Sequence, residues 1–135
     1  MNDSLFWLAL TTVFTALMWM PYILNSFVVR GLMPTMSYPD DPPPLSPWAQ
    51  RAHRAHNNAV QNLALFAPLV LALAILDQRG DAIAIATIVY FAARILHFVV
   101  YVAKIPLVRT VAFLTGWGAV VFLGIQLLTS LAAAG

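Results

Sequence analysis

The chain has no cysteine and no glutamate, and only 9% of its 135 residues are charged. Without cysteine there is no disulfide, thiolate metal site or cysteine nucleophile, so any thiol chemistry needs a thiol brought by a ligand. All five acids are aspartates (Asp3, Asp40, Asp41, Asp77 and Asp81), and none lies within a long apolar run. The seven basic residues are scattered and the net charge is only +2, which lacks the footprint of a nucleic-acid binder. What fills the chain is hydrophobe, at 61%. A soluble domain of this length needs far more polar surface, so the composition describes an integral membrane protein in contact with the lipid bilayer.

Apolar runs cover residues 5–29, 63–76, 82–103 and 111–131. A helix needs about 20 residues to cross the hydrocarbon. The second run is too short alone, but it reaches full length when the polar stretch RAHRAHNNAVQN (51–62) is added in front of it. The prediction is an all-α, four-transmembrane-helix bundle in one domain over 1–135, with spans at about 5–29, 48–76, 82–104 and 108–132. The first span has no Lys or Arg before it and no cleavage site of small residues near its end, so it reads as a retained anchor. Pro21, Asn25 and Ser26 within it predict a kink or a polar inner face. The Pro-rich segment 33–47 predicts a loop, DQRGD (77–81) a tight turn, and Pro106 a break between the last two spans. Arg30, Arg51, Arg54, Lys104 and Arg109 lie on one side and Arg79 alone on the other. The positive-inside rule then puts the first and third loops in the cytoplasm and both termini away from it.

Two polar stripes mark candidate functional residues. At 100° per residue, Arg51, Arg54, Asn58, Gln61 and Asn62 fall within roughly a 100° arc, with His53 and His56 on the opposite half. On the third span Tyr90, Arg94, His97, Tyr101 and Lys104 follow at spacings of four, three, four and three, within roughly an 80° stripe. Arg94 lies near the middle of an apolar span, where an arginine costs about 2.5–3.5 kcal/mol to insert, so it requires a partner, a ligand or water. No acid in the spans neutralises it, and an acid-free arginine face suits an anionic molecule. Arg51, Lys104 and Arg109 read equally well as side chains snorkelling to headgroups. The two histidines have no further ligand placed to complete a metal site. Ala112, Gly116 and Ala119 read as a close-packing face of the fourth span.

Together the stripes resemble MAPEG, the membrane-associated proteins in eicosanoid and glutathione metabolism. RAHNNAVQN (54–62) is similar to the family's second-helix pattern R-A-x-x-N-x-x-E, and ARILHFVVYVAK (93–104) to its third-helix pattern R-x-x-H-x-x-x-Y. Arg109 and Thr110, after Pro106, resemble an Arg-Ser pair that opens the fourth helix in some members. The resemblance implies a homotrimer that binds glutathione as co-substrate between subunits, near the cytoplasmic side, next to a lipophilic small molecule. Arg109 would stabilise the thiolate and Thr110 would donate a hydrogen bond to it, while Arg54, Asn58, Gln61, Arg94, His97 and Tyr101 would position the peptide. Arg30 would contribute from the end of the first span. Three positions depart from the pattern: Gln61 stands where the motif has glutamate, Asn57 where some members have arginine, and Phe113 where a tyrosine is expected. Two functions follow. One is a glutathione-dependent transferase or peroxidase acting on lipophilic electrophiles or lipid hydroperoxides. The other is a non-catalytic protein of the same fold that binds lipid or serves as an accessory subunit of a larger membrane complex.

Overall fold

Proline decides where the first span bends. Pro21 has no N–H to donate to the carbonyl of Leu17, and its ring crowds that carbonyl, so the helix cannot run straight through. In the computed structural model, which describes residues 3–134, the span divides into α1 (Asp3–Leu17) and α2 (Met20–Arg30). Across the bend Met18 N donates to Thr15 O at 3.2 Å, tightening the last turn of α1. Gly31 at φ 84° then turns the chain into a short helix, α3 (Leu32–Met36). The expected loop therefore begins later than its composition suggests. Pro34 occupies the first turn of α3, where an intrahelical donor is not needed, so this proline is compatible with helix.

The rest of the Pro-rich segment is an extended strap pinned at several points. The buried Asn25 donates through Nδ2 to Ser46 Oγ at 2.9 Å and accepts from Ser46 N through Oδ1 at 2.9 Å. Arg30 Nε donates to the Pro43 carbonyl at 2.8 Å, and Gln50 Nε2 to that of Leu45 at 2.7 Å. Asn25 thus serves as part of a polar inner face that holds the strap.

Three long helices complete the chain: α4 (Pro47–Ile75), α5 (Asp81–Val102) and α6 (Pro106–Ala134). Pro47 and Pro106 each open a helix, the position where a missing N–H costs nothing. With α1 and α2 taken as one span, four helices are long and apolar enough to cross a membrane, and no strand occurs among the described residues. The architecture is the predicted all-α four-span membrane fold.

The core has two tiers of different make. One half is filled by large side chains, with Phe66, Val70 and Leu73 of α4 packed against Leu8, Ile83, Tyr90 and Leu123, and the Phe66 and Tyr90 rings stacked 3.8 Å apart. In the other half α4 turns only alanines inward: Ala49, Ala52, Ala55 and Ala59 are all buried. Small residues at this spacing let neighbouring helices approach closely without a hydrophobic drive, which lipid cannot supply. On the flank of that alanine face, Tyr22 of α2 sits between the two histidines. Its ring centroid is 4.8 Å from that of His53, and its hydroxyl is hydrogen-bonded to His56 Nδ1 at 2.9 Å. The histidines accordingly clamp α2 onto α4.

Candidate functional site

The third-span stripe stays together because it is narrow and points at the bundle axis. Along α5 it passes from the fully buried Tyr90, through the buried Arg94 and His97, to the half-buried Tyr101 and the exposed Lys104. This gradient runs from the middle of the bundle out to the turn between α5 and α6.

Arg94 is the deepest charge, at 2% exposure. Its guanidinium lies between two aromatic faces, 5.5 Å from the Tyr90 centroid and 5.7 Å from that of Phe113. Each such contact contributes about 0.5–2 kcal/mol. Its NH1 donates to Asn58 Oδ1 at 3.3 Å, and NH2 makes long contacts of 3.5 Å with the carbonyls of Ala112 and Phe113. Gly116 is what admits it to α6: a Cβ there would stand 2.7 Å from NH2 and 3.1 Å from Cζ and Nε. The small-residue face of the fourth span is therefore a berth for an arginine as well as a packing surface. Neither Arg94 Nε nor the Tyr90 hydroxyl has a hydrogen-bond partner among the described residues.

The second-helix stripe separates. With the buried alanines taken as the inward direction, 100° per residue puts Asn62 roughly 75° away, Arg51 roughly 95°, Asn58 roughly 115°, Arg54 roughly 155° and Gln61 roughly 175°. Burial follows that order: Asn62 is buried, Arg51 and Asn58 are half-buried, and Arg54 and Gln61 are exposed. Asn62 Nδ2 is occupied by the Asn58 carbonyl at 2.8 Å. Arg54 and Gln61 thus lie on the outer face of α4 with Asn57, away from the residues that α5 and α6 bring together. Arg30 is also elsewhere, holding the strap at Pro43.

What does assemble is a pair of adjoining cavities. The inner one, of about 330 Å³, is lined by Asn58, His97, Tyr101, Arg109, Thr110 and Phe113. The outer one, of about 360 Å³, is lined by Arg51, Val100, Tyr101, Lys104, Ile105, Pro106 and Arg109. Tyr101 and Arg109 form the shared wall, with the guanidinium 5.2 Å from the Tyr101 ring centroid, a contact that orients Arg109 across both. His97 meets Tyr101 edge to face at 5.4 Å and Phe113 at 6.2 Å. The hydroxyl of Thr110 donates to the Pro106 carbonyl at 3.1 Å, one turn back on its own helix. No carboxylate lines either cavity, and no ion pair engages Arg51, Arg94, Lys104 or Arg109 among the described residues.

Arg51 and Lys104, left open between snorkelling and function by the sequence, line the outer cavity for backbone reasons. Helix α5 ends with Lys104 in the left-handed region at φ 63°, where Lys104 N donates to Tyr101 O at 3.2 Å and Ile105 N to Val100 O at 2.9 Å. This 5→2 and 6→1 pair is a Schellman cap, and it leaves the Val102 carbonyl unused. Arg51 Nε donates to that carbonyl at 2.8 Å and so joins α4 to the end of α5. Such a contact between residues 51 apart has no local signature.

No curated protein matches the chain. A model of the MAPEG family matches residues 5–129, nearly the whole chain and every helix that builds the cavities. By that match and by its four-span all-α architecture, the chain belongs to the MAPEG family of multi-pass integral membrane proteins.

Proposed function

We propose that the inner cavity binds glutathione and that the protein is a glutathione-dependent transferase or peroxidase acting on lipophilic electrophiles or lipid hydroperoxides. The observation that carries this reading is an acid-free cavity, in a MAPEG protein, on whose walls Asn58, His97, Tyr101, Arg109 and Thr110 converge. Glutathione carries two carboxylates, and its thiolate adds a third negative charge; a wall with Arg109, polar donors and no acid opposes none of them. Arg109, held by Tyr101 and with no ion pair, is the group suited to stabilising the thiolate as it attacks an electrophilic carbon or a peroxide oxygen. Thr110 contributes more weakly, because its proton must turn from the Pro106 carbonyl before it can serve the sulfur. Asn58, oriented by Arg94, positions the peptide, with His97 and Tyr101.

The exposed polar face of α4, Arg54, Asn57 and Gln61, is poorly suited to lipid, which supports a homotrimer in which a neighbouring copy covers it. In that assembly Arg54 and Gln61 complete the glutathione site from α4, and the cavities open toward the cytoplasm. Two observations favour a second reading. Gln61 supplies no charge for glutathione's ammonium and Thr110 has its proton engaged, which suits a MAPEG fold that binds lipid or joins a larger membrane complex without chemistry.

Turnover separates the two. Purified protein is expected to conjugate glutathione to aryl halides or reduce lipid hydroperoxides, and to develop thiolate absorbance in the near ultraviolet when glutathione is added. Absence of both, with the fold intact by circular dichroism, would reject the enzyme.

A further inference from the structure

The outer cavity has a composition that a soluble peptide does not explain. Three of its seven lining residues are cations, Arg51, Lys104 and Arg109, and the rest of its wall is Val100, Ile105, Pro106 and the Tyr101 ring that it shares with the inner cavity. It lies at the turn between α5 and α6, two helices long and apolar enough to span the membrane, and the ends of such spans meet the headgroup region. Ile105 on its rim is 44% exposed and Leu107, just outside it, 76%, which makes an exposed apolar ledge.

Two further features distinguish the cavity from a chance gathering of snorkelling side chains. Arg51 is already fixed through Nε to the Val102 carbonyl, so its terminal nitrogens are presented with little freedom left to lose. Lys104 occupies a backbone position at φ 63° that helix termination ordinarily gives to glycine. The same left-handed position at the end of α4 is held by Asp77, which has Arg79 as its partner; Lys104 stands beside two arginines with no carboxylate on the wall, so its charge is left for a ligand.

We propose that this cavity is a binding site for the phosphate headgroup of an anionic phospholipid. Arg51 and Lys104 hold the phosphate, Arg109 closes the inner side, and the acyl chains leave over Ile105 and Leu107. A basic pocket between helices at the membrane surface suits this ligand, since phosphate charge and chain hydrophobicity are satisfied together. A free anion would satisfy only the first. The proposal does not depend on the glutathione reading, because Arg51 and Lys104, which hold the phosphate, line the outer cavity and not the inner one, and no thiol is required.

The test uses the full chain, delipidated in mild detergent and titrated with phosphatidylglycerol, phosphatidylcholine or inorganic phosphate, with native mass spectrometry and thermal stability as readouts. Phosphatidylglycerol is expected to bind at one per protomer and raise the melting temperature, whereas phosphatidylcholine and inorganic phosphate do neither. Lys104→Gln and Arg51→Met should each weaken phosphatidylglycerol binding by about five- to tenfold, and Lys104→Arg should restore it. Because Arg51→Met also removes a helix cap, Lys104→Gln is the decisive variant. Equal phosphatidylglycerol affinity in wild type and Lys104→Gln overturns the proposal, as does equal retention of phosphatidylcholine. Stabilisation by inorganic phosphate alone that matches the lipid's would assign the site to a free anion and overturn it too. Glutathione turnover in the same preparations reports separately on the inner cavity.

Discussion

The two turns that flank α5 share one backbone device and differ in charge. At one end α4 closes with Asp77 at φ 53°, where Asp77 N donates to Ala74 O at 3.1 Å and Gln78 N to Leu73 O at 2.9 Å. At the other α5 closes with Lys104 at φ 63° through the equivalent pair of bonds. At the first turn Arg79 pairs with Asp77 at 2.6 Å, both exposed, beside a core of large apolar side chains. Beyond the second, Arg51, Lys104 and Arg109 have no carboxylate partner among the described residues and stand above alanines and a buried arginine. One half of the bundle is therefore filled by its own side chains and pairs its one cation, while the other leaves its cations unpaired around two cavities. The uncompensated half is where a ligand has something to supply.

The largest break in this contrast comes from removing the shared wall. Arg109→Ala is expected to lower glutathione turnover by about 100-fold or more, measured as kcat/KM, with little change in melting temperature. Next is the berth of Arg94. Gly116→Ala would force the guanidinium from its place between Tyr90 and Phe113 and destabilise the fold by about 1–3 kcal/mol in thermal or denaturant unfolding. Gly118→Ala, two residues on with nothing within 4 Å of the added carbon, should be neutral or slightly stabilising in the same assay. Arg51→Met strips the Val102 carbonyl of its donor and is expected to cost about 1–2 kcal/mol. The end with the paired cation sets the lower limit. Arg79→Ala breaks a bridge whose partners are 62% and 76% exposed, so its effect on unfolding should stay within about 0.5 kcal/mol. Asp77→Gly relieves the left-handed strain and should stabilise by up to about 1 kcal/mol without touching lipid or thiol binding, whereas Lys104→Gly stabilises similarly but weakens lipid binding as Lys104→Gln does.

Much of the arrangement is legible in the sequence, and the rest is hidden for physical reasons. The stripe Tyr90, Arg94, His97, Tyr101, Lys104 is recognisable because an 80° stripe can point only one way, here between α4 and α6. The stripe on α4 was twice ambiguous. It is wider, and its inward direction is set by Ala49, Ala52, Ala55 and Ala59, which carry no signal among so many apolar residues. Hence Arg54 and Gln61, grouped with Asn58 by spacing, lie on the outer face of the protomer. Gly116 looked like packing because no sequence rule says which side chain fills the space a glycine leaves. The start of the strap was misplaced because Pro34 falls in the one turn of a helix that tolerates it.

Hydrophobic run length and the scarcity of charge were enough to establish four membrane-spanning helices, since lipid demands that each span satisfy its own backbone. The order of polar residues along α5 was likewise a local matter of 100° per residue. Which cations meet was not local. The approach of Arg51 to Val102, of Arg94 to Gly116 and of Arg109 to Tyr101 depends on how three helices pack, and alanine and glycine permit that packing without announcing it.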